Sequence, residues 1–379
     1  METKLLNGNN KEAIAEASKI LQDGGLVAFP TETVYGLGAD ALNADAAAKI
    51  YAAKGRPSDN PLIVHIADTD AVEKLADLET MNRTHPDMVK KAHMLMEAFW
   101  PGPLTIIFPK LAIVPDGTTG GLPTVAIRMT SHPIAQELIR TSGVSIAAPS
   151  ANTSGRPSPT TAQHVWEDMD GRIEMILDGG AVGIGIESTI VDMTGTIPTI
   201  LRPGFITKTM LSEIVGDVTI DPAIIEPDPN LRPKAPGMKY THYAPHGTLS
   251  IVEAVADESA NRASLHSGVK VSYNATEAET LRVAEKIKAL VNEKEAQGYK
   301  VAILTTKEHA SLYKNYSHVL IVGEGSKGQT ISARLYAALR ECDSEQMEYM
   351  YSEAFDQNEL GGAIMNRLLK AAGHRVITV

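Results

Sequence analysis

Cysteine is almost missing from this chain of 379 residues, with Cys342 as its single example. A disulfide framework and a CxxC metal or redox site are thereby excluded, and thiol catalysis is left with one candidate. Aromatic residues make up only 5%, and no apolar run approaches the roughly 18 residues that a membrane span requires. The first eight positions, Met1 to Gly8, hold no apolar stretch of signal-peptide length, so a cytoplasmic protein without a membrane partner is expected. Positive charge is also in deficit: 35 Lys and Arg stand against 46 Asp and Glu, a formal net charge of −11. Sequence-independent nucleic-acid binding draws on many phosphate contacts, so no stable binding to nucleic acid is expected. A local basic pocket for a small anion remains compatible with this balance.

What is present is an ordinary globular composition, 43% hydrophobic and 21% charged. At a prior of roughly 150 residues per domain, the length favours two domains. The first part alternates helical patterns at 10–22 and 45–53 with strand-length apolar runs at 26–30, 62–66, 104–109, 124–129, 144–148, 173–177, 189–192 and 199–202. Many strands joined by irregular, Pro-rich connections predict an α/β domain with a twisted mixed sheet rather than a plain doubly wound fold. Residues 209–247 form a Pro-rich segment that cannot hold a long helix or a central strand, and Tyr240, His242 and Tyr243 mark it as an ordered arm rather than a flexible spacer. Beyond it, strands at 249–254, 269–273, 301–305, 318–322 and 348–353 alternate with helices that include 276–294, 331–340 and 361–372. That alternation predicts a smaller, Rossmann-like domain with a parallel sheet. The expected division is 1–208, an arm at 209–247, and 248–379.

The residue chemistry concentrates in loops that leave strands. Ser150-Ala151-Asn152-Thr153-Ser154-Gly155-Arg156-Pro157-Ser158-Pro159-Thr160-Thr161 is dense in hydroxyl and amide groups, suited either to an anion cradle or to a long Ser-rich turn. In Lys54-Gly55-Arg56-Pro57-Ser58-Asp59-Asn60-Pro61 the polar residues fall at even positions. An extended segment would put Lys54, Arg56, Ser58 and Asn60 on one face, toward a polyphosphate. The alternative is a cationic helix end followed by a proline turn. A charge-assisted hydrogen bond contributes roughly 1.5–3 kcal/mol, whereas micromolar binding requires about 8 kcal/mol, so two cations do not suffice. Arg128, Arg202 and the hydroxyls near Ser158 are the natural further anchors. Pro30-Thr31-Glu32-Thr33-Val34-Tyr35-Gly36-Leu37-Gly38 reads as a strand exit with hydroxyls beside glycines. Gly323-Glu324-Gly325-Ser326-Lys327-Gly328 matches GxGxxG but lies late in the chain and reads as a loop before a helix; no GxxxxGK[ST] occurs.

Together these segments resemble the YrdC-like L-threonylcarbamoyladenylate synthases in their long, two-domain form. The resemblance rests on 30–38, Lys54/Arg56/Ser58/Asn60, Trp100-Pro101-Gly102-Pro103-Leu104-Thr105, 124–128, 148–158, Glu187-Ser188-Thr189-Ile190-Val191-Asp192 and Leu201-Arg202-Pro203-Gly204. For the long form it rests on Pro236-Gly237-Met238-Lys239, His242-Tyr243-Ala244-Pro245 and Ala363-Ile364-Met365-Asn366-Arg367-Leu368. Thr241 departs from the basic residue expected in many relatives.

The resemblance implies condensation of L-threonine, bicarbonate and ATP to threonylcarbamoyl-AMP, with magnesium accompanying the ATP and pyrophosphate released. The product would pass to a tRNA threonylcarbamoyl transferase complex that modifies adenosine beside the anticodon. Carried over by motif, Thr33, His65, Arg128, Ala148 and Ser188 would hold threonine. Arg56, Ser58, Asn60, Thr124, Ser150, Ser158, Arg202 and Tyr243 would hold ATP, with Lys54 and Arg56 acting at its phosphates, and no protein-held metal is expected. A carbamoyltransferase of the hydrogenase-maturation type would require zinc-binding cysteine pairs, which a chain with only Cys342 lacks.

Overall fold

Asn10 and Asn43 start two helices, Lys11–Gln22 and Ala44–Lys54, because each side chain accepts hydrogen bonds from backbone N–H groups of the first turn that lack a helical partner. Such a cap contributes about 1 kcal/mol, and it fixes where the chain enters each helix. The computed structural model describes residues 2–224, 233–236, 243–254, 276–355 and 360–379. It divides into two units, Met1–Ser154 with Ser158–Tyr240, and Gly155–Pro157 with Thr241–Val379.

In the first unit the strands are β1 (Lys4–Asn7), β2 (Val27–Phe29), β3 (Gly36–Asp40), β4 (Ile63–Ile66), β5 (Leu104–Pro109), β6 (Thr124–Met129), β7 (Ile146–Ala147), β8 (Met175–Asp178), β9 (Thr189–Asp192), β10 (Thr199–Arg202) and β11 (Thr219–Ile220). They form an 11-stranded sheet in the order β1-β8-β2-β3-β7-β4-β6-β5-β9-β10-β11. Parallel pairs such as β4 with β6 and β5 with β9 mix with antiparallel pairs such as β5 with β6, so the expected mixed sheet is present.

The alternation of β4, β5 and β6 divides the two faces. Val64, Ile66, Ile106, Phe108, Val125 and Ile127 enter a large core shared with Met88, Ala92 and Leu95 of the helix Pro86–Phe99. Ile63, Ile107 and Ala126 point the other way into a small apolar cluster with Ile190, Leu201 and Ala235. Polar residues on this second face therefore sit beside a thin apolar patch instead of beneath a thick helical layer.

Residues 36–38, read from sequence as the end of a strand exit, open strand β3. Its two glycines conceal it: a Cβ on Gly38 would lie 2.6 Å from Ile146 Cγ2 and 2.7 Å from a Phe29 ring carbon, so close packing demands the residue that ordinarily weakens a strand. Within 209–247, the helix Lys208–Val215 and β11 belong to the first unit, with Leu211 and Val215 in its core.

The second unit holds β12 (Thr248–Glu253), β13 (Val301–Thr305), β14 (Val319–Ile321), β15 (Tyr349–Glu353) and β16 (Val376–Thr378). Among the described residues these form an all-parallel sheet in the order β14-β13-β15-β12-β16. The helices Glu277–Ala296, Gly328–Ser344 and Leu360–Ala371 connect them, as the sequence predicts. The helix expected after 301–305 is a short 3-10 turn, Ala310–Tyr313. The expected strand 269–273, and Tyr240 and His242 of the arm, lie outside the described residues. Cys342 is fully buried, and burial, reinforced by nearby Asp343, Glu341 and Glu345, pushes its thiol up to about 12, which removes it as a nucleophile.

Candidate active site

Register builds the centre of the site. His65 of β4 stands opposite Arg128 of β6, and Arg128 stands opposite Thr105 of β5. Residues directly opposite on neighbouring strands share a face, so these side chains form one row beside the thin apolar cluster. All are buried, at 3%, 4% and 0% exposure. A buried guanidinium is costly unless paired. Arg128 Nε donates to Gly102 O (3.3 Å) and Nη1 to Thr33 Oγ1 (3.0 Å), while Nη2 lies 2.7 Å from Glu32 Oε1 as an ion pair without hydrogen-bond alignment. Thr33 Oγ1 also shares a hydrogen with Thr31 Oγ1 at 2.8 Å.

His65 Nδ1 lies 3.1 Å from the carbonyl of Ile63, and the ring meets Phe29 edge-on. Burial and the nearby Arg128 charge push the imidazole down to about 3, so at neutral pH it is an uncharged hydrogen-bonding group. Burial alone would raise the Glu32 carboxyl. The Arg128 charge, with the hydrogen bond from Thr130, outweighs it and holds the group below the usual carboxylate range.

Ser188 precedes β9 and is fully buried. Its hydroxyl shares a hydrogen with Thr105 Oγ1 at 2.7 Å and accepts from Arg202 Nη2 at 3.1 Å, while Arg202 Nε donates to Ser188 O at 3.0 Å. Arg202, at the end of β10, thus leans on a residue of the neighbouring strand's approach. Gly204 allows this, because a Cβ there would lie 2.5 Å from Thr189 N and 2.7 Å from Glu187 O. Ser158 is buried and donates to Glu187 Oε1 at 2.6 Å, one residue before Ser188. Ala148 donates its N–H to Ile63 O at 2.8 Å, which places it beside the His65 strand. Thr124 opens β6, half-buried, on the same face as Arg128.

The Lys54 to Asn60 segment is not extended, and its even positions do not share one face. Lys54 ends its helix, Gly55 turns the chain at φ 61°, and the N–H of Arg56 returns to Tyr51 O at 2.9 Å. A glycine able to adopt the left-handed conformation after a helical run closes the helix before any strand can begin. Lys54 is buried, and its ammonium donates to the carbonyls of Ser150 and Asn152. Its own carbonyl accepts from Ser154 N at 2.8 Å, so Lys54 fastens the 150–154 loop through side chain and backbone together. Ser150 Oγ donates to Asn152 Oδ1 at 2.6 Å inside that loop.

Arg56 donates to the carbonyls of Asn60 (3.2 Å) and Pro61 (3.0 Å), and Ser58 is exposed on the turn. Asn60 is 1% exposed, yet neither its Nδ2 nor its Oδ1 has a hydrogen-bond partner in the protein. An orphaned buried amide costs free energy, and a bound ligand is one way to satisfy it. Tyr243 belongs to the second unit, where it is buried and its ring stacks on Tyr336 at 5.1 Å.

Sequence reasoning passed over Glu32, Thr105, Thr130 and Glu187 as site residues. A lone threonine in the apolar run Leu104–Pro109 was the available signal for Thr105. Its significance depends on a register with Arg128 that no local pattern reveals.

Residues 19–204 match the Sua5_yciO_yrdC family model, described as telomere recombination, and residues 206–373 match the Sua5_C model, described as threonylcarbamoyl-AMP synthase, C-terminal domain. A Bacillus subtilis threonylcarbamoyl-AMP synthase is 46% identical over 97% of this chain and 95% of its own length. A Schizosaccharomyces pombe protein of the same name is 37% identical over 96% of this chain and 88% of its own. The fold superposes on a crystal structure of P. abyssi Sua5 complexed with L-threonine, with a TM-score of 0.84, 40% identity and 100% of each chain covered.

Proposed function

The chain belongs to the threonylcarbamoyl-AMP synthase family, in the form that joins a Sua5/YciO/YrdC domain to a Sua5 C-terminal domain, and on that premise we propose that it condenses L-threonine, bicarbonate and ATP to L-threonylcarbamoyladenylate. Pyrophosphate and water leave, and the product serves threonylcarbamoyl modification of tRNA adenosine through a separate transferase complex. The observation that carries this reading is the buried Arg128, hydrogen-bonded at Nε and Nη1 and ion-paired at Nη2, in the row with His65 and Thr105. A planar cation fixed in this way suits bidentate capture of an amino-acid carboxylate.

Around it, Thr33, neutral His65 and Ser188 supply hydrogen-bonding groups for the remainder of threonine, with Ala148 contributing its backbone. Arg56, Asn60, Thr124, Ser150, Ser158 and Arg202 are the groups proposed for ATP, Asn60 offering an amide that the protein itself leaves unsatisfied. Magnesium enters with the nucleotide. The ion is proposed to ride on the phosphates.

Chemically, the threonine amine takes up bicarbonate as a carbamate, whose oxygen attacks the α-phosphorus while pyrophosphate departs. Negative charge grows on phosphate oxygens in that step, and fixed cations such as Arg56 and Arg202 lower its cost without rearranging. No covalent nucleophile is required; alignment of carbamate and nucleotide supplies most of the acceleration. Pyrophosphate release that requires threonine and bicarbonate together tests the reading, and equal release with either omitted contradicts it.

A further inference from the structure

Resting on the reading of Arg128 as the partner of the threonine carboxylate, we propose that Glu32 is the positioning residue that sets the plane of the Arg128 guanidinium and thereby the affinity for threonine. Glu32 lies between Thr31 and Thr33, and its carboxylate is held from two sides. Oε1 is 2.7 Å from Arg128 Nη2, and Oε2 accepts from the hydroxyl of Thr130, two residues beyond Arg128 on the chain leaving β6. Its backbone is fixed as well: the N–H of Ile184 donates to Glu32 O at 2.9 Å, and that of Gly185 to Thr33 O at 3.0 Å. The carboxylate is therefore a rigid fixture, not a flexible surface charge. The side chains of Arg128 and Glu32 are only 5% and 14% exposed, so water does little to screen the pair.

A guanidinium on a flexible stem can rotate about its terminal bonds, and a fork aimed a few tens of degrees off loses bidentate geometry. The partners of Arg128 approach from different directions: Gly102 O at Nε, Thr33 Oγ1 at Nη1 and Glu32 Oε1 at Nη2. Two are neutral hydrogen-bond acceptors and one is an anion at ion-pair distance without hydrogen-bond alignment, so Glu32 constrains the guanidinium through charge in a poorly screened setting. Glu32 also supplies the counter-charge that lets Arg128 be buried before substrate arrives. A pure competitor for the guanidinium would have the opposite effect, since its removal would strengthen threonine binding. Fixation by Thr130 and by the 184–185 backbone favours the positioning role, because a carboxylate tied on its far side does not follow the guanidinium when substrate binds.

The test is steady-state pyrophosphate release with threonine and ATP varied separately, in wild type, Glu32→Gln and Thr130→Val. Glu32→Gln is expected to raise KM for threonine by at least about tenfold, the equivalent of one charge-assisted contact, while KM for ATP and kcat stay within about twofold. Thr130→Val keeps the charge but releases its far side, and should raise the same KM by a smaller factor. It also serves where Glu32→Gln folds poorly. An unchanged or lowered threonine KM in both variants, or a rise shared equally by ATP, overturns the proposal while leaving the activity intact. Absence of any threonine dependence in wild type overturns the parent reading and this inference with it.

Discussion

Charge state at single residues determines how this site responds to acid. The folded protein holds His65 near 3 against an ordinary value of 6.5, so the unfolded chain takes up the proton first. Stability is therefore complete above pH 6.5 and falls as pH drops through the window from 6.5 toward 3. Below the unfolded value the slope approaches about 1.4 kcal/mol per pH unit. Glu32, held low by Arg128, adds a loss of the same sign below its ordinary 4.5. Urea midpoints measured between neutral pH and about pH 5 should decline for wild type and flatten for His65→Gln; parallel declines would show that His65 titrates normally. Asn60 gives a different signature. Its amide has no protein partner to lose, so Asn60→Leu should leave the melting temperature unchanged or raise it while KM for ATP rises about tenfold. A large fall in stability with normal ATP use would make Asn60 a structural residue.

Among the elements, loops tied by distant residues do more than the strands they leave. The helix Ala44–Lys54 ends on the residue whose ammonium holds Ser150 and Asn152, which links a helix end to a loop nearly a hundred positions later. Gly204 shows how tightly the β10 exit lies on its neighbour. Because Gly204→Ala would place a methyl against the backbone of Glu187 and Thr189, it should cost about 1–3 kcal/mol of stability and displace Ser188 and Arg202, with a fall in kcat/KM for both substrates. Wild-type kinetics in Gly204→Ala would mean that the 187–189 backbone yields without moving the site. The same elements explain what sequence could convey. Strands β5, β6, β9 and β10 were legible to the residue, since their apolar runs end at turn residues. The row formed by His65, Arg128 and Thr105 was not, because register between separated strands is fixed by packing of the whole sheet. For the Lys54 segment the sequence left an extended stretch and a helix end followed by a turn both open, because alternation of polar residues looks alike in either, and the structure has the helix end. The role of Lys54 in the 150–154 loop likewise depends on tertiary contact.

At the scale of the whole chain, each unit keeps its own chemistry. The first sets Arg128 in a buried row with His65 and Thr105 on one sheet face, and the second presents an all-parallel sheet with Tyr243 stacked on Tyr336. The late GxGxxG segment leads into the helix Gly328–Ser344, with Glu324 paired to Lys307 and Lys327, consistent with a pre-helix loop. The most direct measurement of the central claim uses 13C-labelled bicarbonate with threonine and Mg-ATP, and determines the mass of the nucleotide product. The expected product is an AMP adduct that carries one threonine and one labelled carbon, formed in step with pyrophosphate. An adduct without the label, or pyrophosphate accompanied only by free AMP under conditions that preserve labile anhydrides, would contradict it.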